Sequence, residues 1–131
     1  MGLTEQALRE YCAKEGVSIR ESARIPGLGH YDAKTRTIWL NNKLTARERT
    51  PVLLHEIIHH RAGHDGPQPP RIEARVKAAV ARLLVNPTMY AKAEAITGGA
   101  ARLIAEELDL PCRLIEDFRT LVIPTMRSQF S

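Results

Sequence analysis

Residues 52–64, VLLHEIIHHRAGH, hold four of the chain's five histidines. His55 and His59 lie four apart, and Glu56 directly follows the first. Four residues advance a helix by about 400°, so the two imidazoles share one face, one turn apart. Two imidazoles so placed can hold one tetrahedral zinc ion and leave a position open for water. Glu56 lies about 100° round the helix from His55, beside such an ion rather than on it. From there a carboxylate can take a proton from water and pass it to a leaving amine. One helical turn thus supplies two ligands and a general base, which is the physical content of an HExxH motif. The apolar flanks Val52, Leu53, Leu54, Ile57 and Ile58 imply a buried helix, whose polar side chains then need partners.

A catalytic zinc ion usually takes three protein ligands, and HExxH provides two. His60, His64, Asp65 and Glu73 are the candidates for the third. His60 points about 100° away from His59 and makes a poor co-ligand. The metzincin pattern HExxHxxGxxH asks for glycine and histidine where this chain has Ala62 and Asp65. Gly63 and His64 are present, each one place out of register. Glu73 opens the next predicted helix, after a loop with Gly66, Pro67, Pro69 and Pro70 that can turn the chain back. Geometry favours Glu73, with His64 and Asp65 left open as alternatives.

The elements that must position these residues read as follows. Thr4 caps a helix over 4–15 that Gly16 ends. Short strands are expected at 17–19, 29–32 and 36–40, the last two joined by a turn at 32–35. Thr45 and Glu48 form a capping box. Pro51 then either kinks that helix or, as the better reading, opens a new one after Thr50. Residues 62–70 read as loop, and 71–85 as a helix with Ile72, Val76, Val80, Leu83 and Leu84 at helical spacing. Further helices are expected at 88–97, 100–109 and 112–121, with a loose tail from 124. The fold class is therefore α+β, mostly helical, with a small N-terminal antiparallel sheet. The expected domain is single, 1–131, with a core at 30–87 and a C-terminal helical part at 88–123.

Composition narrows the setting. The chain has 131 residues, of which 5% are aromatic, so aliphatic side chains must fill the core. No apolar run approaches the roughly 20 residues that span a bilayer, and the charged N-terminus lacks the apolar stretch of a signal peptide. Met1-Gly2 would suit myristoylation, but Gln6 stands where that motif wants Ser or Thr. Cys12 and Cys112 form no disulfide or metal-clip pattern, which points to a reduced, cytoplasmic setting. The net charge of +4 is spread along the chain, permitting a nucleic-acid partner without arguing for one.

The stretch IWLNNKLTARERTPVLLHEIIHHRAGHDGPQPPRIEARVKAAVARLLVNP resembles the ImmA/IrrE metallopeptidases, especially the short actinobacterial and actinophage versions. The likeness rests on a strand ending in leucine, Leu44-Thr45 to Glu48, HExxH, a Gly/Pro loop, Glu73-Ala74-Arg75, and Leu83-Leu84 to Pro87. It covers residues 30–87, and 105–121 is similar to the helical tail of the short versions. The resemblance implies a zincin-like domain with one zinc ion on His55, His59 and Glu73, and Glu56 as base. It also implies cleavage of a cytoplasmic protein, a helix-turn-helix repressor of a phage or mobile element. One departure is Ile58, where many members carry glycine.

Further roles are expected at low resolution. Ile38, Trp39 and Leu40 could hold an extended substrate by strand addition, with Trp39 otherwise a core residue. His60, His64, Tyr31 or Tyr90 could stabilise an oxyanion or support the ligands. Two competing readings are a zinc-containing module that binds a partner without cutting it, and DNA binding through AEELDLPCRLIEDF, 105–118. Glu116 and Asp117 on the second helix of that segment would repel phosphates.

Overall fold

The computed structural model describes residues 2–130, with side chains through Met126. It is α+β and mostly helical, with three strands near the N-terminus. Helix α1 (Glu5–Glu15) leads into β1 (Ser18–Ser22), β2 (Gly29–Asp32) and β3 (Thr37–Asn41), then α2 (Ala46–Arg61) and α3 (Pro70–Leu84). Helices α4 (Pro87–Thr97), α5 (Ala101–Leu108), α6 (Cys112–Asp117) and α7 (Ile123–Phe130) follow, with a π-helical segment at Phe118–Val122. The chain divides into two compact units, one through Val76 and one from Lys77 on, so the division falls within α3.

The helix ends sit where local chemistry puts them. The Thr4 hydroxyl accepts from the Ala7 amide at 3.1 Å, and Asn86 does the same for Met89 at 3.0 Å. The Glu48 carboxylate reaches back to the Thr45 amide at 3.0 Å and starts α2 at Ala46. That start corrects the expectation of a new helix at Pro51. Pro51 lies inside α2 and is buried. It forfeits one intrahelical bond, and the capping box of Thr45 and Glu48 upstream keeps the start in place.

The sheet is mixed rather than antiparallel. Its order is β1-β3-β2, with β2 antiparallel and β1 parallel to β3. The 23–28 loop carries the chain over the end of β3, where the Leu28 carbonyl accepts from the Asn41 amide at 2.9 Å. β3 therefore returns between its two predecessors, and the chain's second reversal makes it parallel to the first. Ile38 and Leu40 on β3 are fully buried, and alternation puts Tyr31 and Gly29 of β2 on their face. Leu8, Cys12, Leu53, Leu54 and Ile57 complete this unit's core.

In the second unit, Val85, Ile104, Ile115 and Phe118 are fully buried, and Tyr90 lies against Phe118 with ring centroids 5.0 Å apart. The expected loose tail is instead helix through Phe130. Pro124 lies in this segment, and the wide turn ahead of it carries the helix on. There the Ile123 amide reaches the Phe118 carbonyl, five residues back.

Candidate metal centre

Three side chains from two helices converge. Nε2 of His55 and Nε2 of His59 are 3.3 Å apart, and Oε1 of Glu73 is 3.3 Å from the first and 3.1 Å from the second. His55 and His59 come from one face of α2, and Glu73 from the first turn of α3. These are the His, Cys, Asp and Glu side chains whose ligating atoms cluster among the described residues. The distances test the fit of an ion. Ligands about 2.0–2.1 Å from a tetrahedral zinc stand about 3.3 Å from one another. The three separations are those edges. Two imidazole nitrogens and one carboxylate oxygen are a donor set that zinc accepts, so this group can hold a metal ion.

The connecting loop orients the carboxylate. The Gln68 amide donates to Oε2 of Glu73 at 3.1 Å, which leaves Oε1 to face the histidines. The Gln68 side chain donates to the Gly66 carbonyl at 3.1 Å and folds the loop on itself. Burial works against charge on Glu73, but the Gln68 amide and the two histidines outweigh it and hold the carboxyl below its ordinary value. His59 is buried, whereas the side chains of His55 and Glu73 stay 24% and 28% exposed, so the cluster opens to solvent on one side.

Glu56 is buried, and it lies close enough to this group for the Glu73 charge to act on it. Burial first, and the Glu73 charge second, push its carboxyl up to about 8. A cation in the cluster would pull that value back down. Gly29 of β2 explains how the carboxylate fits. A Cβ built there would lie 2.8 Å from Val52 Cγ1 and 3.2 Å from Oε2 of Glu56. The strand can lie against α2 at that level because residue 29 has no side chain.

The other expected site residues lie outside the group of three. Tyr31 and His60 bond to each other, hydroxyl to Nδ1 at 2.8 Å, with Glu15 3.4 Å from the far ring nitrogen. His64 lies against His59, with their Nδ1 atoms 2.9 Å apart. Tyr90 donates to Glu94 and accepts from Arg119. Strand addition on Ile38, Trp39 and Leu40 is corrected by the topology, since β3 is the central strand with ladders on both sides. Trp39 is half-buried on the face opposite Ile38 and Leu40, so it belongs neither to that core nor to a floor beneath the cluster. Gly29 was missed altogether, since its role depends on which strand meets α2.

No protein-family model and no curated protein matches the chain. Among solved structures, a Mycobacterium tuberculosis transcriptional regulator is similar, with a TM-score of 0.61 and 9% identity over 91% of this chain. The chain spans 41% of that structure's length. At that identity the likeness is one of fold alone. No helix among the described residues is long and apolar enough to cross a membrane.

Proposed function

We propose that the chain is a zinc-dependent endopeptidase of the ImmA/IrrE kind, acting on a cytoplasmic protein regulator. The observation that carries this reading is the near-equilateral triangle of His55 Nε2, His59 Nε2 and Glu73 Oε1, with Glu56 buried next to it. When bound there, a zinc ion supplies Lewis acidity that polarises a peptide carbonyl and acidifies a water molecule. Glu56 accepts the proton of the attacking water and delivers it to the leaving amine. Its desolvated setting suits a group that must exchange a proton rather than hold a fixed charge.

The substrate runs along β2. That strand has a ladder on one side only, and its backbone passes directly over Glu56 at Gly29. An extended peptide adding to its outer edge would bring a scissile bond toward the base. The regulator substrate rests on the family resemblance.

Zinc per chain, measured by elemental mass spectrometry on wild type and Glu73→Ala, tests the centre. About one zinc in the wild type and far less in the variant is expected. Equal zinc in both would remove Glu73 as a ligand, and none in a folded, zinc-supplied wild type would end the reading. Proteolysis is tested separately, by incubating the wild type and Glu56→Gln with the neighbouring helix-turn-helix regulator. Cleavage by the wild type alone is expected. A complex with both and cleavage by neither would make the chain a binding module.

A further inference from the structure

His64 is not one of the three clustered residues, yet its ring touches one of them. Its Nδ1 lies 2.9 Å from Nδ1 of His59, with ring centroids 5.1 Å apart and planes tilted by 60°. The backbone holds that ring in place. The His64 amide donates to the His59 carbonyl at 3.0 Å, and the Gly63 amide donates to the His60 carbonyl at 3.1 Å. Gly63 sits at φ 74°, the left-handed conformation that closes a helix C-terminus. This cap swings the chain back so that His64 returns over the residue five places before it. It also accounts for a glycine and a histidine one place out of the metzincin register, since here they cap α2 and do not carry the chain beneath the ion.

The proton count on His59 gives the contact a direction. Nε2 of His59 faces His55 and Glu73. To ligate, that nitrogen must offer a lone pair, so the ring's proton must sit on Nδ1. The group facing Nδ1 must then accept. Nδ1 of a neutral His64 can do so, with its own proton on Nε2. The opposite arrangement, with His64 donating, would leave the proton of His59 on Nε2 and block the ligand position. We infer that His64 is a positioning residue for metal binding: by accepting the Nδ1 proton of His59, it fixes the tautomer and ring orientation that present Nε2 to the ion. The inference rests on the reading of His55, His59 and Glu73 as a metal centre.

Zinc affinity separates the two claims. It is measured by competition with a chromophoric chelator on the full chain, in wild type, His64→Ala and His64→Asn. His64→Ala is expected to bind zinc about 10–100-fold more weakly. His64→Asn, whose side-chain carbonyl can accept in place of the ring nitrogen, should recover most of that loss. Cobalt substitution gives a second readout: the visible absorption bands of the bound ion should change in His64→Ala and return toward wild type in His64→Asn. Thermal melting of the metal-free proteins monitors folding, and all three should coincide within a few degrees. Unchanged zinc affinity in His64→Ala overturns the inference while leaving the centre intact. Equal weakening in both variants also overturns it, because ring volume rather than the accepted hydrogen bond would then matter. A wild type that binds no zinc overturns both readings.

Discussion

At one end of α2, Arg49 donates to Glu5 of α1 at 3.1 Å and to Glu21 of β1 at 2.8 Å, and Arg9 joins the same two carboxylates at 2.9 and 3.3 Å. At the other end, His55, His59 and Glu73 crowd three ligating atoms together beside the buried Glu56. Both clusters join the helix to neighbouring elements, but their charge arrangements are opposite. In the first, two guanidinium groups meet two carboxylates, and Arg49 bonds both carboxylates at once. Every charge has a counter-charge, and that is how a structural cluster is built. In the second, two carboxylates lie close enough for one to raise the pKa of the other, and the described residues bring no guanidinium or ammonium between them. Such a group costs stability, and a fold retains it where something outside the chain completes it. A cation held by His55, His59 and Glu73 would supply that counter-charge.

The largest test of this contrast is Glu56→Gln. It removes the base while keeping its shape. Peptide cleavage should fall by about 10²–10⁴, the range of general-base contributions, with zinc content unchanged. Thermal stability of the metal-free protein should not fall, since a neutral amide of the same shape replaces a carboxyl whose charge burial disfavours. A Gln variant that melts well below wild type would show that the carboxylate is a structural group like Glu5, and the contrast would collapse.

A smaller effect is expected from Gly29→Ala. The added methyl meets Val52 at 2.8 Å and Glu56 at 3.2 Å, so strand or side chain must give. The cost is about 1–3 kcal/mol of stability. Cleavage should drop further than stability alone predicts, while zinc affinity holds, because Glu56 moves and the ligands do not. Kinetics and zinc titration on the folded variant check this. Full activity would mean that β2 does not set the position of Glu56.

Much of this centre could be read in the sequence, because its parts are local. The four-residue spacing of His55 and His59 and the capping box at Thr45 and Glu48 are properties of one helix, and helical geometry translates directly into space. Glu73 could be anticipated because the loop before it is short and rich in Gly and Pro. What was hidden depends on long-range pairing. Placing β3 between β1 and β2 moved the open edge from Ile38–Leu40 to β2. The pairing of Tyr31 with His60 spans 29 positions and follows from that topology. His64 was expected as one of several residues that could support the ligands, and the structure sets it against His59. It lies five residues from His59, but the left-handed turn at Gly63 that brings it back has no periodic signature. Pro51 was read as the start of a new helix, since a missing N–H is visible in sequence and the upstream cap that tolerates it is not.

The smallest effect tests the other cluster. Hydrogen bonds from Arg49 hold the carboxyls of Glu5 and Glu21 below their ordinary value of 4.5, and the same bonds raise Arg49. A carboxyl whose pKa is depressed by folding stabilises the fold when ionised. That contribution is fully present above about pH 4.5 and is lost as pH falls through the lowered folded values. Arg49→Met keeps the aliphatic stem and removes the charge. The side chains are 22% exposed at Arg49, 31% at Glu5 and 38% at Glu21, so solvent screening limits the loss to roughly 1 kcal/mol near neutral pH. Denaturation across pH 3–7 should show the wild type and the variant apart at the upper end and converging toward the lower, with a smaller gap at high salt. Zinc affinity should be the same in both, because nothing in this cluster touches the ligands. A gap that widened on acidification would reverse the sign of the linkage. A loss of zinc with Arg49 would mean that the two ends of α2 are energetically coupled, and that the division between a structural and a chemical cluster is wrong.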